Sequence, residues 1–393
     1  MQKIIFTLCC MFCISCGVRK TEKLLNTGNY DKAITTAIQN LANRKTAKSK
    51  QDYIILLEAA FAKAKDRDLS TIDMLLKDKN EANFEKIYNI YLQLDNRQEQ
   101  IKPLLPLPII NQNRNAIFEF ENYSSPIANS KTALSKYLYS NALELLKSNN
   151  KYDFRKSYDD LVYLQRLNSN YKDLTSLINE AHFKGTDFVN VYTKNETNMI
   201  IPSQLQDDLL DFSTYGLNDK WVVYHSNKQK GIKYDFAMIV NFRQINISPE
   251  QVKERQFTNE KQIKDGEKAL LDAKGNEVKD DKGKVIMVDN FRKIFASVYE
   301  FKQLKSCQIT AKIDYINNNT NQLIETFPIT SIFVFENIYA NYDGNKDACD
   351  SNYLSYFNQR AIPFPTNEQM VYDSGEDLKA KLKNIIVRNK FRK

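Results

Sequence analysis

Tyr234-Asp235-Phe236-Ala237-Met238-Ile239-Val240-Asn241-Phe242-Arg243 places a large apolar side chain at every even position. Successive side chains of a strand point to opposite faces, so this period of two gathers Tyr234, Phe236, Met238, Val240 and Phe242 on one side. Residues 307–315 repeat the pattern with Cys307, Ile309, Ala311, Ile313 and Tyr315. Further strands are expected at Trp221–His225, Phe295–Phe301 and Ile329–Phe335, where aromatic and β-branched residues concentrate. These segments predict a small, mainly antiparallel β domain over residues 187–393, its aromatic core closed by a final helix near Glu376–Val387.

A polar insertion, residues 248–290, separates the strands. Leu271-Asp272-Ala273-Lys274-Gly275-Asn276-Glu277-Val278 and Asp281-Lys282-Gly283-Lys284-Val285-Ile286 carry turn residues beside short apolar stretches. Two readings fit: a solvated excursion, or a projecting charged hairpin that meets a partner.

Upstream, residues 16–186 have helical periodicity. Gly28-Asn29-Tyr30-Asp31-Lys32-Ala33-Ile34 runs into Ala37, Ile38 and Leu41, a stripe that buries one helix face. Helices are also expected over Gln51–Lys65, Leu69–Lys77, Asn83–Leu94, Ser130–Lys147 and Lys172–Phe183. A second junction, Tyr152-Asp153-Phe154-Arg155-Lys156-Ser157-Tyr158, precedes Leu161, Leu164 and Leu167. Both junctions resemble those of degenerate tetratricopeptide repeats, where a small residue lets paired helices approach. That resemblance implies stacked helix pairs with a surface suited to another protein. Pro103, Pro106 and Pro108 break the pattern and predict a rigid connector or an extended apolar segment held against a partner.

Residues 1–15 contain one basic residue, Lys3, then an apolar run too short to span a bilayer as a helix. Ile14-Ser15-Cys16 resembles the end of a bacterial lipoprotein signal, with a small residue before the modified cysteine. The resemblance implies cleavage after Ser15 and acyl chains on Cys16, hence a lipid-bilayer partner; several chains hold far more firmly than one. Surface lipoproteins of Bacteroidota carry acids just after that cysteine, whereas Gly17-Val18-Arg19-Lys20-Thr21-Glu22-Lys23 follows here. The expected location is therefore the outer membrane, facing the periplasm, with the outer surface as the alternative.

The 393 residues are 42% hydrophobic and carry a formal charge of +8, enough apolar content for one large core or two ordinary ones. The bases are scattered among 48 acids, so no nucleic-acid partner is expected. Four of six cysteines lie in the first sixteen residues, leaving Cys307 and Cys349. In an oxidising compartment this pair predicts a disulfide, closing a loop of about 42 residues and contributing about 4 kcal/mol on a chain-entropy basis.

Reactive motifs are sparse. Asp343-Gly344-Asn345-Lys346-Asp347 opens like a calcium loop, but Ala348 and Leu354 stand where that loop needs glycine and glutamate. The two histidines, His182 and His225, cannot make a three-histidine zinc site. No nucleophile elbow, P-loop or dinucleotide fingerprint occurs, so no cofactor is expected. The sequence thus predicts an α+β, non-enzymatic lipoprotein: a structural or adaptor subunit in a hetero-oligomeric envelope complex for outer-membrane protein assembly, secretion or motility. The alternative is a glycan- or small-ligand-binding lipoprotein using Trp221 and tyrosines.

Overall fold

The computed structural model describes residues 17–43 and 45–392. The architecture is α+β, with N-terminal helices and a mixed β-sheet, and the chain divides into two compact units between Gly185 and Thr186.

In the first unit, helix α1 covers 17–26 and Gly28 closes the turn into α2 (Tyr30–Leu41) at φ 80°, a conformation that favours glycine. Helices α3 (Gln51–Lys77), α4 (Phe84–Ile101), α5 (Ser124–Leu146), α6 (Lys151–Leu167) and α7 (Leu174–Gly185) follow. Ala33, Ile34, Ala37 and Leu41 of α2 bury against Tyr53, Ile54, Leu57, Ala60, Phe61 and Ala64 of α3. A second cluster joins Leu134, Leu138 and Ala142 of α5 to Leu161 and Leu164 of α6 and Leu177 of α7. Ser157 is fully buried there, and its hydroxyl donates to the Ala142 carbonyl at 2.9 Å.

The proline segment is packed. Leu107 and Ile109 are buried, while strand β1 (Pro108–Ile109) pairs with β2 (Arg114–Asn115). Gln51 Oε1 accepts from the Ile110 main-chain N–H at 2.7 Å, tying the connector to α3.

Helix α3 corrects the sequence expectation of two helices with a break at residues 66–68. It is continuous through Asp66-Arg67-Asp68, and the charges there are structural. Arg67 Nε meets Asp68 Oδ1 at 2.8 Å and Arg67 Nη2 meets Asp31 Oδ2 at 2.9 Å. Arg97 Nε meets Asp31 Oδ1 at 2.7 Å, and its Nη2 reaches Asp68 Oδ2. Two acids and two guanidinium groups from three helices therefore form a closed ring.

The second unit contains β3 (Asp187–Asn195), β4 (Val222–His225), β5 (Phe236–Ile247), β6 (Gln251–Ala269), β7 (Met287–Asn317) and β8 (Gln322–Gly344). Their order is β4-β3-β5-β7-β6, with β8 also on β7. The two β3 pairings are parallel and the others antiparallel, so the sheet is mixed. The expected final helix is α11 (Gly375–Arg388), and three further helices, α8 (Ser203–Leu210), α9 (Ser351–Tyr356) and α10 (Asn367–Asp373), lie among or after these strands. The expected alternation does build the core. Phe236, Met238, Val240 and Phe242 bury with Cys307, Ile309, Ala311, Ile313 and Tyr315 against Leu378, Leu382 and Ile386 of α11.

Nor is the sheet small. The stretches expected as separate strands at 295–301 and 307–315 belong to the 31-residue β7, about 100 Å long at ~3.3 Å per residue. Its C-terminal part lies in the core. Its N-terminal part pairs with β6, which lies within the polar insertion, and their hairpin extends the sheet as an arm. At the tip, Leu270 N–H donates to Ile286 O, Ile286 N–H to Val278 O, and Val278 N–H to Leu270 O, each at 2.8–2.9 Å. The eight-residue spacing is filled by two alike turns, in which Asp272 and Asp280 accept main-chain N–H groups and Gly275 and Gly283 take positive φ.

The predicted disulfide is overturned: Cys307 and Cys349 are both free and buried. Cys307 lies in the main sheet core, whereas Cys349 packs with Ile294, Ala296 and Val298 near the arm. Gly344, five residues before Cys349, pairs with Ala296, which is eleven residues from Cys307 along β7. Eleven strand residues span about 36 Å, and five more of fully extended chain recover at most about 18 Å. A disulfide needs Cα atoms within about 7 Å.

Candidate interaction surface and ligand cleft

Two features of the second unit offer recognition chemistry. The first is the arm. Even positions of its β7 segment face inward, where Ile294, Ala296 and Val298 are covered by the α9 region through Phe257–Tyr353 and Tyr342–Phe357 ring contacts. Odd positions face the other side. There, the chain leading to α10 reaches Gln303, whose side chain exchanges hydrogen bonds with Ile362 N and O at 3.1 and 2.9 Å.

Beyond Gln303 this second face carries Phe301, Tyr299, Phe295 and Phe291. Phe291 and Phe295 are 51% and 50% exposed, a large apolar exposure for side chains two registers apart on one strand. Phe301 stacks on Tyr339 of β8 with ring centroids 5.0 Å apart. The register brings Glu254, Glu260 and Asp343 to the same face. Lys293 neutralises Glu260 at 2.5 Å, while Glu254 and Asp343 have no cation partner among the described residues. An aromatic row edged by acids results.

The second feature is a cleft of about 470 Å³ between α8, the turn after it and the end of β4. Asp207, Asp211, His225, Asn227 and Gln229 line it over an apolar floor that includes Phe212. Phe212 stacks with both Tyr215 and Tyr224, at centroid separations of 4.9 and 5.2 Å. Burial pushes the Tyr224 hydroxyl far above its ordinary range, with Tyr315 and Asp219 adding to the shift. His225 Nδ1 lies 2.9 Å from Tyr234 Oη, which also accepts the Gln229 main-chain N–H at 2.9 Å. The imidazole stacks on Phe188 at 6.1 Å, so its plane as well as one nitrogen is fixed.

The other sequence candidates are scattered. Cys16 lies outside the described residues, as do residues 1–15. His182 belongs to the last turn of α7 and packs beside Tyr158, whereas His225 belongs to the second unit. Trp221 is half-buried with Lys220 Nζ 4.6 Å over its ring, and is not among the residues lining the cleft. The 343–347 segment is a turn: Asn345 Oδ1 accepts Asp347 N–H at 3.0 Å, and a Cβ on Gly344 would meet Phe295 O at 2.6 Å. Among the described residues, no cluster of three or more His, Cys, Asp or Glu could hold a metal ion. No described helix is long and apolar enough to cross a membrane.

The arm face is hidden in the sequence because an aromatic strand segment such as Phe295–Phe301 reads equally as core. Their odd numbering, opposed to the even numbers of Ile294, Ala296 and Val298, was the available signal. The Tyr234–His225 pair could not be seen from spacing, since it depends on the turn between them. No protein-family model matches this chain, and no curated protein matches it.

Proposed function

We propose that this chain is a non-enzymatic adaptor that binds another envelope protein through the aromatic face of its arm, tethered by acyl chains on Cys16 at the periplasmic side of the outer membrane. The observation that carries this reading is the exposed pair Phe291 and Phe295 on a sheet that outruns its own core. Exposed aromatic rows lose water on association and commonly anchor protein interfaces. The unpaired Glu254 and Asp343 favour a partner segment with apolar side chains and basic flanks. In the same proposal the N-terminal helices form a degenerate tetratricopeptide-like stack. Packing of α2 on α3, α5 on α6 and α6 on α7, and the small buried residues Ala33, Ala37 and Ser157, support it.

The test is native purification in mild detergent of the wild type and of a Phe291→Ser/Phe295→Ser variant. Half-exposed positions tolerate such changes within about 0.5 kcal/mol, so circular dichroism and melting should be preserved. The expected result is a stoichiometric complex with the wild type that the variant loses. A wild-type monomer under conditions that keep other envelope complexes intact overturns the reading, as does equal recovery with the variant.

A further inference from the structure

We propose that the cleft beside His225 binds a neutral, hydroxyl-rich small molecule with the hydrogen-bonding chemistry of a saccharide. This assignment does not rest on the adaptor reading, because the cleft is formed by α8, its following turn and β4 rather than by the arm.

The volume, about 470 Å³, falls within the ~300–1,000 Å³ of small-molecule sites. Its walls decide the class of occupant. A tyrosine hydroxyl has one proton to give and can accept as well. Tyr234 Oη receives the Gln229 N–H and shares a second hydrogen bond with His225 Nδ1. The imidazole is thereby oriented through Nδ1. No partner takes Nε2 among the described residues.

Opposite in character are the acids. Asp211 Oδ1 is occupied by the Ser213 main-chain N–H at 3.2 Å and hydroxyl at 2.5 Å, which leaves Oδ2 as an acceptor. Asp207 adds a second carboxylate, and Asn227 and Gln229 add amides that both donate and accept. Two acids disfavour an anion, while the mixture of fixed donors and acceptors suits hydroxyl groups, which do both. Phe212 contributes an apolar floor and already stacks with Tyr215 and Tyr224. Binding therefore comes mainly from hydrogen bonds fixed in advance by the Tyr234–His225 pair.

The chain has only two histidines, so selective ¹⁵N-histidine labelling of the full-length protein, with His182→Gln for assignment, isolates the His225 signals. The probes are maltose and N,N′-diacetylchitobiose as neutral disaccharides and digalacturonate as the anionic control. At least one neutral probe should shift the His225 signals saturably below about 10 mM, a concentration that fills a site of millimolar Kd. Tyr234→Phe, which keeps the ring but removes the hydroxyl, should weaken that binding about 5- to 10-fold, and Asp211→Asn should weaken it less. The absence of saturable shifts with both neutral probes, or equal affinity for digalacturonate, overturns the assignment.

Discussion

Replacing Arg97 with Met tests whether the charge ring across α2, α3 and α4 is a structural centre of the helical unit. Arg97 and Asp68 side chains are each 7% exposed, and both Asp31 and Asp68 accept from both guanidinium groups. Removing one member of a buried ion pair costs about 3–5 kcal/mol, because the remaining charge has lost water and partner together. Arg67 would still hold Asp68, and at 37% exposure it is partly solvated, so the expected loss lies at the lower end, about 3 kcal/mol. That is a large share of the ~5–15 kcal/mol that keeps a domain folded. Urea denaturation followed by far-ultraviolet circular dichroism, which reports the helices, gives the number. The double variant Arg97→Met/Asp68→Leu should recover at least half of it, since no uncompensated carboxylate remains. A single-variant loss below about 1 kcal/mol, or a double variant worse than the sum of the singles, refutes the reasoning. The ring also sets a pH response. Burial of Asp31 opposes its ionisation, but the Arg67 hydrogen bond and the Arg97 charge outweigh this and hold the carboxyl below its ordinary range. Its folded pKa is thus depressed relative to the unfolded chain. The associated stabilisation is complete above about pH 4 and fades as pH falls through the folded value, so the gap between wild type and Arg97→Met should narrow under acid.

Other consequences are open to measurement. Gly344→Ala places a Cβ 2.6 Å from Phe295 O on a backbone with φ 107° and should cost about 2–3 kcal/mol, read from the melting of the sheet unit; a loss under about 0.5 kcal/mol contradicts the turn geometry. Burial raises the pKa of both the Cys307 and Cys349 thiols, so they should react with a disulfide reagent slowly in the native protein and fully after denaturation; an intact mass 2 Da below the reduced value would show them bonded. Metabolic acyl labelling should mark the wild type and be lost in Cys16→Ala; equal labelling of both removes the proposed tether.

Much of the second unit's core was legible because one face is dry and the other wet: alternation at 234–243 and 307–315 records that asymmetry directly. Strand β6 has solvent over most of both faces, so Gln251–Ala269 carries no alternation and looks like loop. In β3 the first five residues are all buried, which leaves no period of two to find. The false break in α3 has a different origin. Asp66-Arg67-Asp68 resembles a polar turn, and only the partners Asp31, 36 residues before Arg67, and Arg97, 29 residues after Asp68, make it helix interior. For the pair of thiols, compartment chemistry supplied a reason to bond but no information about the tens of ångströms of strand between them. Of the cleft, His225 was visible as a lone imidazole; its fixed orientation arises from Tyr234 across a turn whose path no local pattern specifies.

One strand, β7, is shared by core and arm, and this gives the molecule a directional response to load. Tension drawn along the arm meets β7 main-chain bonds to β6, β5 and β8 acting side by side, so many must yield together. A sideways pull at the tip meets the same bonds in succession and can open them singly. A partner gripping the aromatic face lengthwise would therefore transmit pull into the folded interior with little give, whereas one levering the tip would peel the hairpin first.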